Sequence, residues 1–281
     1  MKNVLAVGAA GGSGSATVRA LLQRGDRVHG TVLNDAEATA AKEQNPGLAS
    51  ISLLDLGRSE ELLAAMPSVL ATTGELDAVI VCAGLSVAGP LETTPITQLR
   101  RVMEVNCVGC LAIYQAVMPM LRRTSGRLIM ISSIGGQVAM PFLGNYSASK
   151  HALEGLADSM RRETMNSGVD VVLVQPGGVK TTMTLNQLRD VEERTAKLSP
   201  DEEALYGGLY RQFHKVVATG YHEDYSPPEK IAEVIVEALD AEKPAPRYLA
   251  GPDAEQFYAM ASSMSDQELD AVFARTFSPA D

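Results

Sequence analysis

The 281 residues carry 34 acidic and 24 basic side chains, a formal net charge of −10, and are 46% hydrophobic against 21% charged. That much apolar material excludes wholesale disorder, and the acidic balance argues against a nucleic-acid partner or an anionic membrane surface. Three cysteines, Cys82, Cys107 and Cys110, are too few for a disulfide framework and imply a reduced, cytoplasmic compartment.

Strand-like and helix-like segments alternate along the chain. The apolar run up to Val7 breaks at Gly8, too soon for a secretory core of roughly 7–15 residues, and Asn3–Val7 reads as a first strand. Ser15–Arg24 follows as a helix with Val18, Leu21 and Leu22 on one face. Arg27–Leu33 and Ile51–Leu54 are strands, Ser59–Leu70 a helix, and Ala78–Cys82 a wholly apolar strand of the kind buried on both faces. Thr97–Arg122 has helical period throughout. Its uncharged core, Val105–Leu121, is interrupted by Asn106, Gln115 and Pro119 and falls short of the ~18–20 apolar residues of a membrane span. Arg127–Ile131, Val169–Val174 and Arg247–Ala250 complete seven strands, with helices at Tyr146–Met165 and Pro228–Leu239 between them. Such alternation predicts parallel strands joined by right-handed crossovers, hence one doubly wound α/β domain over residues 1–281. Thr184–Pro227 breaks the rhythm. This charged, helix-like insertion with Tyr206, Tyr210, Phe213, Tyr221 and Tyr225 stands at the carboxyl edge of the sheet, where a helical lid over a ligand belongs.

Chemistry concentrates at strand ends. Gly8, Gly11, Gly12 and Gly14 lie between the first strand and the first helix, where absent side chains and free helix N–H groups suit a pyrophosphate. The spacing fits both Gly-x-x-x-Gly-x-Gly and Gly-x-x-Gly-x-x-Gly. Gly177-Gly178-Val179-Lys180-Thr181 is no Walker loop, because Val179 stands where a glycine must precede the lysine. Tyr146 and Lys150, four apart on a helix, share one face, and a nearby cation favours a phenolate at neutral pH. Ser133, thirteen residues earlier and just beyond a strand, is placed to polarise a carbonyl beside that phenol. The four histidines, His29, His151, His214 and His222, form no metal-ligand pair. Cys107-Val108-Gly109-Cys110, inside a helix, reads as ordinary buried thiols.

With these residues in place, the sequence resembles a short-chain dehydrogenase/reductase of the compact Tyr-x-x-x-Lys type, from Lys2 to about Ala254. Gly8-x-x-x-Gly12-x-Gly14, Asp55 after the third strand, Cys82-Ala83-Gly84, Asn106, Ser132-Ser133, Tyr146-x-x-x-Lys150 and Pro176-Gly177-Gly178-Val179-Lys180-Thr181 each fall at the edge of the matching element. The stretches Ser133–Tyr146, Lys150–Leu156 and Arg247–Ala254 are most similar to the 17β-hydroxysteroid and retinol dehydrogenase-like branch. The resemblance implies a Rossmann-type seven-stranded sheet and an NAD or NADP cofactor. Contacts to it would come from Gly8, Gly12, Ser13, Gly14, Asn34, Asp55, Ala83, Gly84, Tyr146, Lys150, Pro176, Gly177, Val179 and Thr181. It implies a catalytic set of Asn106, Ser133, Tyr146 and Lys150: Tyr146 as acid or base, Lys150 supporting it and the nicotinamide ribose, Ser133 orienting the substrate oxygen, and Asn106 holding a relay water. A bulky, apolar alcohol or ketone is the implied substrate, against Gln137, Met140 and Met183, and a homodimer or homotetramer the implied assembly. No metal is expected. Cofactor choice stays open: Val32 replaces the acid that marks NAD-specific relatives, and Leu33 the arginine that marks NADP-specific ones. Two other readings remain, a sugar-nucleotide epimerase or dehydratase of the extended branch, favoured by the second glycine spacing, and a non-catalytic dinucleotide sensor.

Overall fold

A computed structural model describes residues 1–278; the last three residues of the expected domain lie outside the described residues. Seven parallel strands, β1 (Asn3–Val7), β2 (Arg27–Val32), β3 (Ser50–Leu53), β4 (Ala78–Val81), β5 (Arg127–Ile131), β6 (Asp170–Pro176) and β7 (Arg247–Ala250), form one sheet in the order β3-β2-β1-β4-β5-β6-β7. Register is continuous across the centre: Val4–Val7 pairs with Val28–Thr31 on one side and Ala78–Val81 on the other. The chain leaves β1 toward β3 and returns to β4 on the opposite side. The reversal opens a crevice at the carboxyl ends of β1 and β4, the place where such sheets bind ligands.

Successive residues on a strand point to opposite faces, and here both faces are covered, so both sets are apolar. Leu5, Val7, Val79 and Met130 pack beneath α3 (Ser59–Thr73), α5 (Gly109–Thr124) and α6 (Gly144–Glu163). Val4, Ala6, Ile80 and Ile129 pack beneath α1 (Gly12–Gln23), α2 (Asp35–Gln44) and α10 (Pro228–Asp240). Arg247 closes the far edge, its guanidinium reaching Glu154 at 2.8 Å and Asp158 at 3.0 Å on α6.

The elements differ from expectation in three places. Asp35–Gln44 is the helix α2, although its polar surface offers only Ala41 as a fully buried residue. The long helix begins at Ile96 and is not uniform: α4 (Ile96–Met103) passes through a π turn, Glu104–Val108, before α5. At 29 residues this helix is long and apolar enough to cross a membrane by length and composition, more than its sequence suggested. Half of its most apolar stretch is buried against the sheet, with Ile113, Val117 and Leu121 fully covered. Finally, two helices follow β7, α11 (Pro252–Ser263) and α12 (Asp266–Phe277), where none was anticipated.

The insertion folds as α7 (Thr182–Thr195), a short α8 (Pro200–Glu202) continued by a π turn, and α9 (Gly208–Glu223). With α12 it builds a third apolar cluster beyond the carboxyl ends of the strands, centred on Phe142, Tyr210, Phe213 and Phe277. Phe213 stacks on Phe142 with centroids 5.3 Å apart and on Phe277 at 6.4 Å, while Tyr210 meets Phe142 edge-on at 4.7 Å. Phe142 holds a φ of +68°, strained for a residue with a side chain, and this packing keeps it there.

Candidate active site

One cavity of about 1090 Å³ runs from the β1–α1 turn, across the carboxyl ends of the strands, to the aromatic cluster. At its first end, Gly8 turns the chain with φ +84°, and a Cβ there would stand 2.8 Å from the Ala83 nitrogen. A Cβ on Gly12 would lie 2.7 Å from Thr181 Cγ2, and one on Gly14 would overlap the Gly8 carbonyl oxygen; Gly11 has room, its nearest neighbour 3.6 Å away. The positions that require glycine are therefore 8, 12 and 14, which settles the spacing as Gly-x-x-x-Gly-x-Gly. Helix α1 begins at this turn with no acid in its first turn, so its N–H groups and dipole face the cavity unopposed. This end fits a dinucleotide's pyrophosphate, and Asp55, Ala83 and Gly84 line the same space.

At mid-cavity, α6 carries Tyr146 and Lys150 on one face. Lys150 Nζ donates to the Ile131 carbonyl at 2.8 Å and lies 5.6 Å from the Tyr146 ring centroid. Ser133 Oγ accepts the Gly135 N–H at 3.0 Å. A Cβ on Gly135 would be 3.3 Å from both Ser133 Oγ and Tyr146 Cε1, so hydroxyl and phenol flank one glycine. Asn106 sits in the π turn, wholly buried. Its Oδ1 accepts the Leu85 N–H at 2.7 Å, and its Nδ2 donates to Leu85 O and to Ser149 Oγ. The amide thus fixes the loop after β4 to α6 and, among the described residues, makes no bond to Lys150. Cys82 is half-buried beside this loop, and desolvation of its sulfur pushes the thiol up to about 12.

The Pro176–Thr181 loop forms the next wall and is held from behind. The Gly178 N–H donates to Asp253 Oδ2, and the Tyr225 ring packs on Gly178 and Gly220. Burial, together with Asp253 and Asp224, pushes the Tyr225 phenol up to about 12; burial raises Asp253 itself above the usual carboxylate range.

Of the expected contacts, Gly8, Gly12, Ser13, Asp55, Ala83, Gly84, Ser133, Tyr146, Lys150, Pro176, Gly177, Val179, Thr181, Met140 and Met183 line the cavity. Gly14 and Asn106 do not; they act behind the wall, one by its missing side chain, the other by its amide. Asn34 and Gln137 also fall outside. Asn34 Oδ1 is spent capping α2, accepting the Glu37 N–H at 3.0 Å, and Glu37 lines the cavity in its place. Gln137 ends the 3-10 turn Ile134–Gly136 away from the cavity. Of the insertion's aromatics, only Phe213 and Tyr225 reach the space; Tyr206 bonds Glu92, and Tyr210 is buried against Phe142. Sequence reasoning missed Glu37, although Asn34-x-x-Glu37 is the spacing of a helix cap. It also missed Phe273 and Phe277 of α12, which no local motif marks.

Comparison with known proteins agrees with this geometry. Residues 2–192 match the family model for short chain dehydrogenases. An NADPH-dependent 3-dehydrocapnine reductase of Ornithobacterium rhinotracheale is 30% identical over 280 residues, covering 97% of this chain and 96% of the relative. Human 17-beta-hydroxysteroid dehydrogenase type 1 is 35% identical over 216 residues, covering 75% of this chain and 63% of that protein. A short-chain dehydrogenase of Streptomyces avermitilis superposes with a TM-score of 0.75 at 27% identity, covering 98% of this chain and 94% of its own. With the glycine turn, the Tyr146–Lys150 pair and the seven-stranded sheet in their places, the chain belongs to the short-chain dehydrogenase/reductase family and is an oxidoreductase of that family.

Proposed function

We propose that this enzyme interconverts a secondary alcohol and a ketone on a bulky, mainly apolar substrate, with Tyr146 as the acid and base. The observation that carries the reading is the single cavity in which Tyr146, Lys150 and Ser133 stand between a dinucleotide-sized glycine turn and a wall of Met140, Met183, Phe213 and Phe277. When bound, NAD(H) or NADP(H) supplies or accepts the hydride. Ser133 Oγ donates to the substrate oxygen and orients it beside the phenol. In reduction, the Tyr146 hydroxyl gives its proton to that oxygen as negative charge develops there; in oxidation the phenolate takes it back. The Lys150 ammonium, anchored on Ile131 O, offsets the negative charge left on the phenol oxygen, a stabilisation that low local dielectric strengthens. Asn106 keeps Leu85 and Ser149 fixed around this pair, and the relay-water role that the family resemblance implies belongs to the same reading. Reductase names among the relatives support the ketone-reducing direction. The Thr184–Pro227 segment serves as a cover over the substrate end, and the free thiols of Cys82, Cys107 and Cys110 support a reduced, cytoplasmic setting. A homo-oligomer belongs to the same reading.

The test is Tyr146→Phe assayed with apolar ketones. Turnover should fall by about 10²–10⁴-fold, the range of a lost general acid, while titration of reduced nicotinamide dinucleotide stays within about threefold of wild type. Retained turnover would remove Tyr146 from the reaction.

A further inference from the structure

The adenosine end of the cavity holds an acid where a cofactor's second anionic group would have to fit. Glu37, in the first turn of α2, lines the cavity beside Val32 and Leu33. Its Oε2 accepts the Leu33 N–H at 2.9 Å, which folds the carboxylate back over the carboxyl end of β2. Its Oε1 has no hydrogen bond among the described residues. Asp35 precedes it by two residues, and Asp55 lines the cavity from the adjacent strand end.

The two segments that frame this end carry no cation of their own. No lysine or arginine occurs from Asn3 to Val18 or from Val28 to Ala41, so neither the glycine turn nor the β2–α2 connection supplies one. The cations lining the whole cavity are Arg101, Lys150 and Lys215. Lys150 is committed to Ile131 O beside Tyr146, Lys215 stands on α9 at the opposite end, and Arg101 enters from α4, one turn before Val105.

Resting on the dinucleotide reading of this cavity, we infer that Glu37 makes the enzyme selective for a dinucleotide with a free adenosine 2′-hydroxyl, NAD(H), over its 2′-phosphorylated counterpart. A ribose diol donates to a carboxylate through charge-assisted hydrogen bonds. A 2′-phosphate at the same place meets Glu37, and with no cation on the glycine turn or the β2–α2 connection to compensate it, the like-charge contact rejects the wrong partner. The customary place for such an acid, the end of β2, is Val32 here. The helix cap of α2 delivers the charge instead, and this explains why the strand-end residues alone left the cofactor undecided.

Direct binding of NADH and NADPH, followed by nicotinamide fluorescence without substrate, tests this. Wild type should bind NADH at least about tenfold more tightly, a difference of ~1.4 kcal/mol. Glu37→Gln keeps an oxygen for the Leu33 N–H but loses the charge, and should bring the two dissociation constants within about threefold, chiefly by tightening NADPH. Glu37→Arg should invert the order. Arg101→Ala should leave the ratio unchanged. Equal or NADPH-preferring binding by wild type would overturn the inference, as would an unmoved ratio in Glu37→Gln or a loss confined to NADPH in Arg101→Ala. Failure of both nucleotides to bind wild type would overturn it together with the dinucleotide reading, whereas an active Tyr146→Phe enzyme would leave it standing.

Discussion

Phe213→Ala separates the sheet from the aromatic cluster above it. Phe213 is 1% exposed and stacks on both Phe142 and Phe277, so it is the ring that joins α9, the strained loop before Tyr146, and α12. Truncating a buried phenylalanine costs about 3–5 kcal/mol in lost transfer energy and cavity. Loss of its hold on Phe142 also frees that residue from φ +68°, and with it the segment carrying Met140. The two cores that cover the sheet contain none of these residues. The penalty should therefore fall on the cluster as a local unit rather than on the whole molecule. Amide exchange in Gly208–Glu223 and Asp266–Phe277 should accelerate by roughly a hundred- to a few thousand-fold, the equivalent of that energy. Protection in β1, β4 and β5 should stay put, dinucleotide affinity should change by less than about threefold, and KM for apolar ketones should rise. If the central strands lose protection as fast as α9, the cluster is not a separate unit; if α9 is unaffected, Phe213 does not hold it.

Two further outcomes follow from the turn and from a buried imidazole. Gly14→Ala pushes a methyl into the Gly8 carbonyl and should weaken dinucleotide binding by about tenfold or more, an overpacking penalty of ~1–3 kcal/mol, while Gly11→Ala, with open space, should bind normally; paired nucleotide titrations decide, since tight binding by Gly14→Ala would refute the clash and a loss in Gly11→Ala would restore the other glycine spacing. His29 is buried between Ser50 Oγ at 2.7 Å and Asn3 Oδ1 at 3.1 Å, and burial, then the Arg27 charge, holds it below the imidazole reference of 6.5. The folded state therefore binds that proton less readily than the unfolded chain, so the stability it contributes is present above 6.5 and is lost as pH falls below it. Urea midpoints at neutral and mildly acidic pH should diverge more for wild type than for His29→Gln, and equal divergence would show that this imidazole is not linked to unfolding.

The strand–helix alternation, the parallel sheet and the Tyr146–Lys150 pair are legible in the order of residues alone. Each rests on local periodicity: apolar runs mark strands buried on two faces, and a four-residue spacing sets two side chains on one helix face whatever surrounds them. The strand-end positions of Ser133 and of the Pro176–Thr181 loop were legible for the same reason. The remaining features depend on residues distant in the chain. Which glycines are obligatory is fixed by Ala83 and Thr181, brought against the turn from other strand ends. The partners of the Asn106 amide, Leu85 and Ser149, come from two other segments of the chain. Asn34 was drawn into a cap, which put Glu37 at the cavity instead. The substrate end is finished by Phe273 and Phe277, whose helix carries no motif and acquires its place only by packing against α9. Periodicity records what a segment buries, but not which distant segment buries it, and the walls of this cavity are made almost wholly of the latter.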